Sequence, residues 1–265
     1  MNSLTDRFRV ATLPLDIKWG EKETNLRAVE EAFGHLPEST DLVVLPELFS
    51  TGFEDEPLLL KELAERNTGD TVDRLKALAS KYNTAIAGSF LASTPPHLYN
   101  RGFIIEPSGE ETFYDKRHLF SISKEAEIFK GGSDAVKTVR FRGWNIALIV
   151  CYDLRFPVWC RSRNNQYDLL LVVSNWPQSR SYAFEHLLIA RAIENQCYVI
   201  GANRGGEDRF GVYDNLSPIY DYLGAPIGHS NGLFVSSDLS RSAQDEFRTK
   251  FPVAGDADDF TIDGI

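Results

Sequence analysis

The chain has 265 residues, of which 43% are hydrophobic, 25% charged and 12% aromatic, a folded globular composition and not a disordered one. Lysine and arginine number 28 against 38 aspartates and glutamates, and the net charge of -10 would repel phosphate backbones, which argues against a nucleic-acid partner. No apolar run approaches the roughly 18 residues of a membrane span, no signal-peptide pattern opens the chain, and Cys151, Cys160 and Cys197 make an odd set without a CxxC pair, so a cytoplasmic protein without a membrane partner is expected.

In chain order, residues 8–15 are a mostly apolar run with β-branched members, read as a strand, followed by the polar, helix-tolerant segment 21–36. Residues 41–45 are a buried-strand candidate ending at Pro46-Glu47. Residues 71–82 set Val72, Leu75, Leu78 and Ala79 at helical spacing. Residues 84–90, 99–106 and 111–115 read as strands, the last two joined by the turn Pro107-Ser108-Gly109. The runs 144–150 and 168–174 are continuously apolar, as in strands buried on both faces. Residues 181–196 form the clearest helix, with a long stripe through Phe184, Leu187, Leu188, Ala190, Arg191 and Ile193. Residues 197–203 read as another strand, 201–211 as a surface or functional loop, and 217–227 with 232–235 as a terminal meander. No repeat or linker interrupts this order. The expectation is one α/β domain over residues 1–265, with a mixed sheet covered by helices.

Three reactive residue types stand at strand ends, where α/β folds place their sites. Glu47 follows a buried strand among apolar neighbours; partial desolvation raises a carboxyl pKa and suits it to proton transfer, although a solvated loop carboxylate fits the segment equally. Lys116 lies in a charge-dense group bounded by apolar residues, where a surface lysine is the default. Cys151 ends the strand 144–150 and precedes a turn with Asp153 and Arg155, a better setting for a nucleophile than for an inert core thiol.

These segments together resemble the nitrilase or carbon–nitrogen hydrolase superfamily along nearly the whole chain. The matching pieces are Leu45-Pro-Glu47 with Thr51-Gly-Phe53, Asp115-Lys-Arg-His-Leu-Phe120, Cys151-Tyr-Asp-Leu-Arg-Phe-Pro157, Ser174-Asn-Trp-Pro177, Ala190-Arg-Ala-Ile-Glu-Asn195 and Ala202-Asn-Arg204. The second and third of the longer motifs look most like the omega-amidase branch. The resemblance implies a four-layer αββα sandwich with mixed sheets, protomers paired as a homodimer or larger homo-oligomer, and a Glu–Lys–Cys site without metal or organic cofactor. It assigns Glu47 as base, Lys116 as electrostatic stabiliser and Cys151 as nucleophile, with Glu125 as an assisting carboxylate and Glu127 its rival. The family's small polar motif near the last strands is altered in spacing here, at 211–217, and this bears on substrate contacts.

The implied chemistry is attack of the Cys151 thiolate on an amide carbonyl, with Lys116 and the Tyr152 backbone N–H stabilising the oxyanion. Phe53 and Trp176 either line the pocket or pack, and Arg155 either binds a substrate carboxylate or braces the Asp153 turn, bracing being preferred. The implied substrate is a small 2-oxo dicarboxylic acid monoamide; N-carbamoyl compounds and nitriles are the alternatives. A Cys–His site through His118 is the nearest rival by residue type, against a structural histidine as the simpler reading. The five histidines lack zinc-motif spacing, and a silent binding protein would lack a triad member, which this chain does not. Cys160 and Cys197 read as core thiols, Arg191 and Glu194 as a helix pair, and Lys116→Met is expected to fold normally.

Overall fold

The chain alternates strands and helices much as its periodicity predicts. In the computed structural model, which describes residues 6–262, the first part runs β1 (Arg7–Thr12), α1 (Lys22–Phe33), β2 (Leu42–Val44), α2 (Pro57–Leu63) and α3 (Asp70–Tyr82). It continues through β3 (Ala85–Thr94), β4 (His97–Ile105), β5 (Glu111–Asp115), α4 (Glu125–Ile128), β6 (Thr138–Phe141), β7 (Trp144–Val150) and β8 (Leu169–Ser174). The last part is α5 (Ser181–Asn195), β9 (Tyr198–Asn203), β10 (Gly205–Asp208), β11 (Gly211–Asp214), β12 (Ile219–Tyr220), β13 (His229–Asn231), β14 (Phe234–Ser240) and α6 (Arg241–Lys250).

Two mixed sheets result. The first has the order β13-β14-β1-β2-β3-β4-β5, with β1, β2 and β3 parallel; the second has the order β12-β9-β8-β7-β6, with β7, β8 and β9 parallel. Side-chain alternation explains why the parallel strands read as unbroken apolar runs. Val10, Val44, Ala87 and Ile104 of the first sheet share a core with the second sheet, whereas Ala11, Val43, Ile86 and Ile105 pack with Leu26 and Val29 of α1 and Val72 and Leu75 of α3. Phe184, Leu188 and Ala192 of α5 join the core on the second sheet. The layers are therefore α, β, β, α. The sheets approach closely at Gly102 of β4, where a Cβ would collide with Leu148 of β7.

The C-terminal part departs from the sequence reading. The segment 217–227 is not one meander with 232–235: β12 pairs with β9 in the second sheet, whereas β13 and β14 pair with each other and with β1 in the first. Residues 201–211 are no simple loop, because β9 runs to Asn203 and β10 pairs with β11 as a hairpin. α6 is almost wholly polar and escaped the periodicity test. It is fastened by Arg241 and Arg248 to the buried Asp168 at 2.5 and 2.8 Å, with Gln244 donating to the Asp168 carbonyl at 2.9 Å. Among the described residues no helix is long and apolar enough to cross a membrane.

Candidate active site

The ends of β2, β5, β7 and β8 converge. Glu47 comes three residues after β2, Lys116 directly after β5, Cys151 directly after β7 and Asn175 directly after β8. Lys116 Nζ donates to Glu47 Oε1 at 2.9 Å and to Glu125 Oε1 at 2.7 Å, and all three side chains are buried. Asn100 Nδ2 also donates to Glu47 Oε1 at 2.7 Å, and the Asn175 backbone N–H donates to Glu47 Oε2 at 2.8 Å. The Phe120 N–H fixes the second oxygen of Glu125 at 2.6 Å. Glu127, the rival carboxylate, lies exposed. Lys116 is held in register by Gly132, whose N–H donates to the Lys116 carbonyl at 2.9 Å and whose Cα presses so close to Asp115 that a Cβ would collide with its carbonyl.

Cys151 is half-buried and has φ of +48°, a left-handed conformation that costs a residue with a Cβ on the order of 1–3 kcal/mol. Asp153 holds that turn. It is fully buried and accepts from the Val150 N–H at 3.1 Å, Tyr114 Oη at 2.8 Å and the His118 N–H at 2.9 Å, and its Oδ1 lies 2.8 Å from His118 Nδ1. His118 is thus a structural histidine, stacked on Phe156 at 3.8 Å and turned toward Asp153. Arg155 takes no part in this network, so the preferred bracing role is corrected: four contacts already saturate Asp153, and Arg155 lies over the Trp176 ring at 5.1 Å.

Burial and the Glu47 charge push the Cys151 thiol well above its ordinary value, with Lys116 as the opposing influence. Burial disfavours the Lys116 charge, yet the Glu125 and Glu47 carboxylates together hold its pKa well above the usual lysine value. The site therefore sets a thiol with a raised pKa beside the Glu47 side chain and an ammonium whose charge the two acidic neighbours favour. That set can shift one proton from sulfur to Glu47 at the moment of attack. Cys160 and Cys197 are buried core thiols, the former pushed up to about 12 by desolvation, and Arg191 pairs with Glu194 at 2.8 Å.

Cys151 opens into a cavity of about 240 Å³ whose wall includes Phe53, Tyr152, Arg155 and Trp176, all singled out in the sequence. It also includes Phe120, Asn175, Arg180, Phe210 and Tyr213, which sequence reasoning did not assign. Asn100 was missed too, because next to Arg101 in β4 it reads as part of an ordinary polar stretch. The altered segment 211–217 supplies Tyr213 to the wall through β11. Among the described residues no three His, Cys, Asp or Glu side chains converge as metal ligands.

The burial of Lys116 revises what its replacement should do. Lys116→Met leaves two buried carboxylates uncompensated, which costs about 3–5 kcal/mol. Thermal unfolding followed by circular dichroism should show a lower midpoint, and adding Glu125→Gln should recover part of it. A single variant as stable as wild type would contradict the buried ion cluster.

The carbon–nitrogen hydrolase family profile matches residues 9–234. Omega-amidase YafV of Escherichia coli K12 is 39% identical over 260 residues, covering 96% of this chain and 98% of its own. A 2-oxoglutaramate amidase of Bacillus subtilis is 31% identical over 257 residues, covering 94% and 97%. A CN-hydrolase superfamily protein of Xanthomonas campestris, crystallised with an arsenic adduct in its active site, superposes with a TM-score of 0.91 at 35% identity, over 97% of this chain and 99% of that one.

Proposed function

The chain belongs to the carbon–nitrogen hydrolase family, and from that premise we propose that it hydrolyses the terminal amide of a short 2-oxo dicarboxylic acid monoamide, such as 2-oxoglutaramate or 2-oxosuccinamate, to the acid and ammonia. The observation that carries the reading is a half-buried cysteine facing a cavity with Glu47 and Lys116 beside it.

Glu47 takes the Cys151 proton as sulfur attacks the amide carbonyl. Lys116 and the Tyr152 N–H stabilise the oxyanion, a reading supported by the fixed charge of Lys116 between its two carboxylates. Protonated Glu47 then hands its proton to departing ammonia, leaving a thioester on Cys151. Glu47 next draws a proton from water, whose oxygen attacks the thioester; the C–S bond breaks to free the acid, and Glu47 returns the proton to the Cys151 sulfur. Glu125 keeps Lys116 charged and aimed through the whole cycle. Asn100 and the Asn175 N–H keep the Glu47 carboxylate oriented.

Ammonia release over 2-oxoglutaramate, 2-oxosuccinamate, N-carbamoyl amino acids and aliphatic nitriles tests the substrate class. The monoamides should exceed the others in kcat/KM by about tenfold or more. A carbamoyl compound or nitrile in first place would overturn it.

The chain acts as a single domain and works as a homodimer. Tyr182 and Ile193 on α5, with Leu223 in the turn whose Gly224 packs on Ile193, leave exposed apolar surface that a second copy would cover. Light scattering on the eluting protein should give twice the chain mass, and a monomer mass would contradict it. Three thiols without a disulfide suit a reducing compartment such as the cytoplasm.

A further inference from the structure

Two cations in the cavity wall have no hydrogen-bond or ion-pair partner among the described residues. Arg155 is the last residue of the 3-10 turn Cys151–Arg155, and Arg180 is the last residue of the 3-10 turn Gln178–Arg180 that leads into α5. Both guanidiniums lie over Trp176, at 5.1 and 6.0 Å from its ring centre, and Arg180 also covers Phe120 at 4.9 Å. Among the described residues neither guanidinium makes a hydrogen bond or an ion pair. This occurs in a chain with 38 acidic residues against 28 basic ones, where free carboxylates are plentiful. Arg155 is exposed at the mouth and Arg180 half-buried, whereas the buried arginines are paired, Arg191 with Glu194, Arg204 with Asp208 and Arg248 with Asp168.

A guanidinium held near an aromatic ring without hydrogen-bond partners keeps its N–H groups free to grip a carboxylate in a two-pronged fashion. The acids of the same cavity, Glu47 and Glu125, are already bound to Lys116 and do not compete for that edge. Left alone, they would repel an anionic substrate. Position also fits, because Cys151, Arg155 and Arg180 line one cavity.

We infer that Arg155 and Arg180, gathered at Trp176, form a carboxylate-anchoring subsite that holds the end of the substrate remote from the scissile amide. Arg180 is the member that neither the catalytic cluster nor its motifs point to. The subsite makes the enzyme select amides with an acid at the far end, and for which end reacts it rests on the omega-amidase reading.

The test uses 2-oxoglutarate, the acid that the proposed reaction would release, as a binding probe that needs no turnover. Calorimetric titration of wild type, Arg155→Leu, Arg180→Leu and Arg180→Lys should show each leucine variant binding about 10- to 100-fold more weakly, with lysine recovering part of the loss. The kcat/KM ratio of 2-oxoglutaramate to the neutral butyramide should fall by a similar factor, chiefly through KM, with circular dichroism reporting the fold. Unchanged binding in both leucine variants overturns the inference. So does an equal loss on charged and neutral amides, which is the mark of wall packing alone. So does a wild type that does not bind 2-oxoglutarate. Arginine-dependent binding without hydrolysis of any omega-amide would keep the subsite and sink the proposed substrate. Hydrolysis of 2-oxoglutaramate with arginine-independent binding would do the reverse.

Discussion

Cys151→Ala should release ammonia from 2-oxoglutaramate about 10⁴-fold or more slowly than wild type while its circular dichroism spectrum is unchanged. The side chain is small, half-buried and faces the cavity, so truncation removes little packing. Cys151→Ser should not recover turnover, because a hydroxyl ionises far less readily than a thiol and His118, the histidine in the neighbouring loop, is bound to Asp153. A thiol reagent should mark Cys151 before Cys160 or Cys197, which are buried beyond its reach. First labelling at either of those two would break the assignment.

Glu47→Gln should lower turnover by about 10⁴-fold, the upper end for a general base, since the proposed cycle routes every proton transfer through this one carboxylate. Its second expected effect runs the other way. In the resting site the Glu47 charge holds the Cys151 thiol up, while Lys116 pulls it down. A neutral glutamine removes the first influence and keeps the second. The thiol pKa should therefore fall, and alkylation of Cys151 by iodoacetamide should begin at lower pH in the variant than in wild type. An enzyme that is dead to substrate yet quicker to alkylate is difficult to obtain from simple misfolding. Equal alkylation profiles would mean that Glu47 and Cys151 are not electrically coupled.

Much of this arrangement can be read from the chain. Strands such as 144–150 and 168–174 are legible because burial on both faces demands unbroken apolar runs, and each ends where a polar residue appears. The motif residues Glu47, Lys116, Glu125 and Cys151 share no sequence neighbourhood. The sheet order brings them to one end, and without the family resemblance Lys116 reads as a surface residue. Other features have no local signal. α6 has little apolar face because it docks through Arg241, Gln244 and Arg248 onto Asp168, and polar docking leaves no 3.6-residue hydrophobic period. The split of β12 from β13 and β14 depends on which sheet edge is free. The role of Asp153 went to the wrong partner because its contacts with Tyr114 and His118 span 39 and 35 positions of sequence. Arg180 stayed invisible for a related reason: an arginine at a helix entry is unremarkable until the cavity it faces is known.

The central claim is that amide hydrolysis passes through an acyl group on Cys151. The most direct measurement is the intact mass of enzyme quenched in acid during steady turnover of 2-oxoglutaramate, followed by peptide mapping. The account predicts a species heavier by the substrate less ammonia, carried on the peptide that contains Cys151 and absent from Cys151→Ala. Continued ammonia release from Cys151→Ala, or an adduct on any other residue, would contradict it.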